Sequence, residues 1–347
     1  MNSPKSPPQV RSLSMGRYLD DLFDWILTGW DRFWFQPMDP IVLGVIRICT
    51  GLMLLYTHIV WGLRLEEFFG RTPILDQTAM LELRGAKWPS FWWYVDADWA
   101  SVVHALSLFV LLLFTLGVRT RVTSWLSLAV AISYANRVYF ATFGLDQINI
   151  MLTLYLAIGA SGDALSWDQW RRTFRRTTSQ KLTTADSTSR ETTVQSVDYW
   201  IGPPSVFANI GVRLIQIHMC VIYFFAGVAK LQGAAWWNGD AIYLAFAIRE
   251  YQTLDMSWIA AYPSISAVLT HASVAWEVAF CVLIWPLRLR PLMLLGSVLL
   301  HVGIGACLGM WTFGLIMIVG CSSFVVPDVY RQLLRFPAAE PVALKES

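Results

Sequence analysis

The sequence predicts an all-α, polytopic transmembrane helical bundle, and composition together with the length of its apolar runs supports this fold class. The 347 residues are 56% hydrophobic and 14% charged, they include 18 tryptophans, and their mean hydropathy is +0.49. A soluble domain carries about 25% charged residues, so we expect an integral, multi-pass protein of the lipid bilayer. A helix needs about 20 apolar residues to cross the hydrocarbon core. This criterion predicts about eight spans, with approximate limits 40–63, 99–117, 122–141, 146–164, 207–231, 262–286, 291–309 and 311–327.

The spans define one membrane domain with polar segments on either side. The predicted parts are an N-terminal cytoplasmic and interfacial segment (1–36), a membrane domain (37–330) with a loop at 166–206, and a tail (331–347). Tryptophans lie among charges in 17–35, which indicates an amphipathic helix in the membrane interface. A ninth crossing there or at 241–248 is the alternative. The stretch 177–197 is rich in Ser and Thr and is predicted to be disordered.

Positive charge concentrates in alternate loops of the eight-span arrangement, as around Arg119 and Arg121 and again after Arg171. This bias places both termini in the cytoplasm. The loop that holds Arg64 and Arg71 lies on the opposite side and departs from the rule. We expect the chain to reside in the bacterial inner membrane.

Composition also excludes some partners and cofactors. The net charge of +2 leaves no basic face large enough for nucleic acid. The five cysteines lie in apolar runs without CxxC spacing, so they are interpreted as small buried hydrophobic residues. We therefore expect no nucleic-acid partner, no metal and no disulfide framework.

The first span carries a polar face, since Gly44, Arg47, Gly51 and His58 fall within about 60° of arc at 100° per residue. Small residues on such a face let a neighbouring helix approach closely. We interpret the face as a packing seam in which a buried carboxylate neutralises Arg47, because buried charges are usually paired. A functional pocket is the alternative.

The fifth span carries a second polar stripe, because Gln216, Tyr223 and Lys230 are each seven residues apart. Lys230 lies one residue from the predicted end of the span. An ammonium ion inside hydrocarbon is costly, so this lysine either reaches water, pairs with an anion or loses its proton and becomes a base. Spacing alone leaves these alternatives open.

Glu277 lies inside the sixth span and is the natural partner of Arg47 or of Lys230. A pair with Lys230 would stabilise the ammonium and weaken the hypothesis of a lysine base, whereas a pair with Arg47 would leave Lys230 free.

His301 lies on a face of the seventh span that also carries Ser297 and two glycines, so it is either a hydrogen-bonded structural residue or part of a pocket. Asp146 opens the fourth span and is interpreted as a helix cap.

Three stretches resemble the horizontally transferred transmembrane (HTTM) family, which includes the membrane part of the vitamin K-dependent gamma-carboxylases. The most specific stretch is Ala226-Gly-Val-Ala-Lys230-Leu231 followed by Trp236-Trp-Asn-Gly239. The others run from Trp276-Glu277 through His301 to Trp311-Thr-Phe313, and from Phe35-Gln-Pro-Met-Asp-Pro40 to Arg47 and Gly51. The resemblance covers about residues 30 to 330.

The resemblance implies that Lys230 is a base that deprotonates vitamin K hydroquinone. In the carboxylases the product reacts with O2, a proton then leaves the γ-carbon of a protein glutamate, and CO2 adds there. His301 would orient the quinol. The pocket around these two residues would include Glu277, Arg47, Gln216, Tyr223, Asp146, Trp236 and Gly239.

The chain also departs from the carboxylases. Only about twenty residues follow the last predicted span, where the carboxylases carry a long extramembrane region, and this chain has Asp146 and Gln147 where the eukaryotic members have a histidine. We therefore carry two hypotheses. The first is a quinol-dependent enzyme, carboxylase-like or oxidase-like, with a lipid-soluble quinone and a peptide or protein as partners. The second is a non-catalytic membrane component that helps to export or mature a partner protein. Solute transport is less favoured, since no broken helix pair or matching halves are visible.

Overall fold

The computed structural model describes residues 15–85, 88–184 and 199–336. Within these ranges the chain is helical and has no strand, and two isolated bridges join Met38 to Ser205 and Ala164 to Ile201. The prediction of an all-α fold is confirmed for this part of the chain. The α-helices in chain order are α1 (Met15–Phe35), α2 (Ile41–Leu63), α3 (Leu65–Phe69), α4 (Gln77–Arg84), α5 (Ala100–Leu116), α6 (Thr120–Arg137), α7 (Gly144–Ile158), α8 (Trp167–Thr184), α9 (Val206–Lys230), α10 (Ala234–Asn238), α11 (Ala241–Ala247), α12 (Pro263–Leu283), α13 (Arg290–Leu308), α14 (Trp311–Cys321) and α15 (Pro327–Leu333).

By length and composition, five of the helices in the described ranges can cross a membrane. They are α2, α5 with the turn before it, α9, α12 and α13. The segment Trp311–Phe324 and α15 would make a sixth span if taken together, but they are bent by 115°. Several long apolar helices therefore support an integral, multi-pass membrane protein.

The third and fourth predicted spans correspond to α6 and α7, which are helical but less suited to crossing alone. Serine, threonine and arginine lower the hydropathy of α6. The 15 residues of α7 reach about 22 Å, less than the hydrocarbon thickness of about 30 Å. The count of eight spans and the cytoplasmic placement of both termini remain predictions.

Neither proposed ninth crossing meets the same criterion. The seven residues of α11 reach only about 10 Å, which rules out a crossing at 241–248 by geometry. The 21-residue α1 is long enough, but it carries four aspartates and exposes Phe23, Trp25 and Trp30. Its C-terminal end docks on α9, where the Asn209 side chain donates to the Phe33 carbonyl at 2.8 Å. An amphipathic surface helix fits this arrangement.

The loop predicted at 166–206 is partly helical. It begins with α8, so residues 177–184, which were predicted to be disordered, continue a helix instead. The rest of that prediction lies largely outside the described residues. The first residue of the predicted tail, Arg331, is buried and donates to Asp39 at 2.6 Å, which ties α15 to the start of α2.

The central helix of the bundle is α2, which packs against α5, α7, α9 and α14. Of the 18-residue apolar stretch in α2, 61% is buried inside the protein, against 22 to 39% of the same stretch in the other four candidate spans. Its glycines make this close packing possible. A Cβ on Gly44 would lie 2.8 Å from the Ala164 carbonyl oxygen, and one on Gly51 would lie 2.3 Å from Oγ1 of Thr115. The interpretation of this face as a packing seam is therefore confirmed.

We expect Gly51→Ala to destabilise the protein by about 1–3 kcal/mol, the usual cost of overpacking a tight interface. The added Cβ would also lie 3.0 Å from Cα of Thr115, a backbone atom that no rotamer change can move. Gly303→Ala on α13 is the matched control, because no atom lies within 4 Å of its added Cβ. Thermal unfolding in detergent measures both variants. Equal midpoints would contradict the close contact between α2 and α5.

Candidate functional site

Lys230 and Glu277 form an ion pair between the end of α9 and the middle of α12. The Lys230 Nζ donates to both carboxylate oxygens of Glu277. The side chain of Lys230 is 24% exposed and that of Glu277 only 7%. The indole of Trp236 covers the ammonium, with Nζ 5.2 Å from the ring centroid. Of the two partners that the sequence left open for Glu277, the structure selects Lys230.

Gly227 lets the two helices come close enough for this pair. It lies one turn before Lys230 on the same face of α9, and a Cβ there would lie 2.7 Å from Cγ2 of Val278. The same Cβ would lie 3.4 Å from Cβ of Glu277. A larger residue at Gly227 would therefore push α12 away and draw the carboxylate back from the ammonium.

A buried network of polar side chains lies deeper along the same face of α9. The Tyr223 hydroxyl is 2.7 Å from Nε2 of His301 and 3.0 Å from Oγ of Ser297. Cys321 completes the network, with its Sγ 3.3 Å from the Tyr223 hydroxyl and 3.1 Å from the Ser297 oxygen. All four side chains are buried. The network joins α9, α13 and α14.

Two buried ring nitrogens in this region have no hydrogen-bond partner among the described residues, Nδ1 of His301 and Nε1 of Trp276. Trp276 directly precedes Glu277, and its ring meets Tyr223 edge-on with centroids 5.2 Å apart. It thereby connects the ion pair to the Tyr223 network. Nε1 of Trp276 packs against α13 at Gly296, where an added Cβ would lie 2.2 Å from it. Buried polar atoms are rarely left unpaired, so Nδ1 of His301 is the nitrogen to which an oxygen of a ligand or of water would bind.

The Trp236–Gly239 motif is held on α12 by backbone contacts. Gly239 ends α10 with a φ of +84°, which favours glycine. Its carbonyl accepts hydrogen bonds from the hydroxyls of Ser266 at 3.0 Å and Thr270 at 3.1 Å. The motif therefore fixes the position of Trp236 over the Lys230 ammonium.

Arg47 does not belong to this group, and the prediction of a carboxylate partner for it is wrong. Its guanidinium donates to the backbone carbonyls of Ser161, Ala164 and Leu165, the bond to Ala164 being 3.0 Å long. These carbonyls lie in and just after the 3-10 turn Ser161–Asp163 that follows α7. Arg47 is thus a structural clamp between α2 and this turn.

Gln216 and Asp146 also lie apart from the ion pair. The Gln216 amide bonds to Arg213 at 2.9 Å and to the Ser323 carbonyl at 2.8 Å, towards the opposite end of α9. The Asp146 carboxylate accepts from the Phe143 amide at 3.0 Å, so the interpretation of a helix cap on α7 is confirmed. Of the predicted pocket residues, the structure groups Lys230, Glu277, Trp236, Gly239, Tyr223 and His301.

Sequence reasoning missed two features of the polar interior. Cys321 was interpreted as a small hydrophobic residue, but its sulfur contacts the hydroxyls of Ser297 and Tyr223. A second cluster joins His104 Nδ1 to the Tyr134 hydroxyl at 2.7 Å, with the ring of His58 packed on Tyr134. His58 and Asn149 line a cavity of about 10 Å³ there, which is about the size of one water molecule.

Among the described residues, no group of three or more His, Cys, Asp or Glu could hold a metal ion. No protein-family model, curated protein or solved structure matches this chain. The resemblance to the HTTM family therefore rests on the motifs quoted above and stays a prediction.

Proposed function

We propose that this membrane protein is an HTTM-type enzyme that carries out quinol-linked chemistry, with the Lys230–Glu277 pair as its proton acceptor. The observation that carries the proposal is the placement of this pair beside the buried Tyr223–His301 network, with an unpaired nitrogen on His301. A base and a hydrogen-bonding site for the substrate oxygen would then share one region of the bundle.

The pair changes how the base would work. The Lys230 ammonium contacts the Glu277 carboxylate, so the pair and not the lysine alone would be the proton acceptor. Lys230 would first give one proton to Glu277, which leaves an amine and a carboxylic acid without changing the net charge in the membrane. The amine would then take the proton of a bound hydroxyl. Glu277 keeps the first proton, and the new ammonium is the counter-ion of the deprotonated oxygen.

The residues present fit a quinol in two respects. The unpaired Nδ1 of His301 would hydrogen-bond a quinol oxygen, and the aromatic rings of Tyr223 and Phe313 flank His301. A bound quinol would supply an acidic hydroxyl and, with O2 and CO2, the redox and carboxylation chemistry that the resemblance implies. The peptide or protein that would accept the CO2 belongs to the same proposal.

The test compares Lys230→Arg, Lys230→Ala and Glu277→Gln in quinol consumption by membranes that contain each variant. Arginine keeps the positive charge and the ion pair but does not release its proton. The rate of quinol consumption should therefore fall about 100-fold or more in Lys230→Arg, as in Lys230→Ala. Glu277→Gln removes the group that takes the first proton, so its rate of quinol consumption should fall as well. Each rate is normalised to the amount of folded protein. Native turnover by Lys230→Arg would refute the proton-acceptor role.

A second function, a non-catalytic component in the export or maturation of a partner protein, is favoured by one observation. Lys230 contacts both oxygens of Glu277 and is covered by Trp236, which is the geometry of a satisfied structural ion pair. In that case Lys230→Arg would retain full function while Lys230→Ala would lose it. The same two variants therefore separate the two functions.

A further inference from the structure

A large cavity opens at the end of the bundle where α9 begins. Lys230 ends α9 24 residues after its start, about 36 Å away along the helix. The cavity has a volume of about 770 Å³. Its walls come from the turn before α6, the end of α7, the first turns of α8 and the start of α9. Its charged lining residues are Arg119, Arg121, Arg171, Arg172, Arg175, Asp163 and Asp168.

The two aspartates of the cavity are already engaged. Asp168 accepts from the backbone amides of Arg119 and Thr120 at 2.9 and 2.7 Å, and Asp163 pairs with Arg172 at 2.7 Å. The bonds from Asp168 also hold Arg119 at a φ of +46°, a backbone conformation that residues other than glycine rarely adopt. The carboxylates thus shape the turn and leave most of the arginine charge unneutralised.

Four arginines of this cavity, Arg119 and three others, have no ion pair with any other described residue. The side chains of Arg121, Arg171 and Arg175 are exposed, and no described carboxylate contacts them. Guanidinium groups that converge on one cavity form a strong site for a phosphate group, because each can donate two parallel hydrogen bonds. The cavity therefore offers positive charge that is available to an anion.

The cavity also has an apolar wall. Trp125, Ile158 and Phe207 line it and are 50%, 39% and 64% exposed. Phe207 lies on α9, one of the helices that can cross a membrane. A free inorganic anion would make no contact with such an apolar wall. A phospholipid would pack its glycerol backbone and the start of its acyl chains against it.

We propose that this cavity binds an anionic phospholipid. The phosphate would lie among Arg121, Arg171 and Arg175, and the acyl chains would run over Trp125 and Phe207 into the bilayer. Basic pockets between membrane helices bind anionic headgroups in this way. This site is separate from the proposed quinol chemistry and does not depend on it.

The test is native mass spectrometry of the full-length protein in detergent, titrated with phosphatidylglycerol or with phosphatidylcholine of the same acyl chains. The native protein should bind phosphatidylglycerol more tightly. The triple variant R121Q/R171Q/R175Q should lose this preference, with roughly tenfold or more weaker binding. The matched control R249Q/R288Q/R335Q removes the same charge from arginines outside the cavity and should behave as native.

Two further measurements complete the test. Inorganic phosphate in excess should compete only weakly, and Trp125→Ala with Phe207→Ala should weaken binding of phosphatidylglycerol while the arginines remain. Equal binding of the two lipids by the native protein would overturn the proposal. So would equal loss in the two triple variants, or a site that inorganic phosphate fills as well as the lipid does.

Discussion

Replacement of Arg47 by leucine should destabilise the protein by about 3–5 kcal/mol, one of the largest effects of any single substitution in this chain. Arg47 is fully buried at the centre of α2, and its guanidinium bonds to three backbone carbonyls. Leucine would fill part of the space but leave those carbonyls without a donor. A buried polar group that loses its partner costs its full desolvation penalty, so the effect exceeds the loss of the bonds alone.

Two related variants make this prediction specific. Arg47→Lys keeps the charge but replaces a planar fork by a single ammonium, so it should be intermediate in stability. Arg64→Leu removes an arginine just after the end of the same helix, where its pair with Glu67 is exposed, and should leave the unfolding midpoint close to the native one. Thermal unfolding in detergent measures all three. An Arg47→Leu midpoint equal to the native one would show that the guanidinium does not hold the turn.

The helices themselves could be predicted from the sequence because apolar length is a direct physical requirement of the bilayer. Each predicted span contains a helix, from α2 to α14, although α7 and α14 end about six residues before the predicted limits of the fourth and eighth spans. The small-residue seam of Gly44 and Gly51 was predictable for the same kind of reason, since close helix packing requires small side chains. The bend between Phe324 and Pro327 lies at the predicted end of the eighth span, where Asp328 ends the apolar run.

The partners of the buried charges could not be predicted in the same way. Helical periodicity places Lys230, Arg47 and Glu277 on faces, but it does not say which helices are neighbours. Arg47 bonds to backbone carbonyls in a turn. Every residue has a backbone carbonyl, so no sequence pattern identifies such acceptors. The choice of Lys230 for Glu277 follows from the packing of α9 on α12.

Depth explains why one residue of the predicted stripe on α9 lies apart from the others. Gln216 and Lys230 share a face, but 14 residues of helix separate them by about 21 Å. Tyr223 lies between them and reaches His301, whereas Gln216 bonds to Ser323.

The arginine cavity was missed for a different reason. Its charges were taken loop by loop as signals of orientation, and only the fold brings α6 and α8 together.

A double-mutant cycle on Lys230 and Glu277 should give the second large effect. Lys230→Met and Glu277→Met should each cost about 2–4 kcal/mol, because each leaves one charge unpaired in an apolar site. The exposed quarter of the Lys230 side chain keeps this estimate below that of a fully buried pair. The double variant should recover at least about 1–2 kcal/mol of the summed loss, because no charge is left without a partner.

The same cycle separates folding from function. Stability is read from thermal unfolding and function from quinol consumption, both on the same preparations. If the pair acts as the proton acceptor, the double variant will regain the stability that the cycle predicts and still be inactive. If the pair is only structural, activity will follow stability and return with it. Additivity within about 0.5 kcal/mol would mean that the two side chains do not interact, and would contradict the ion pair itself.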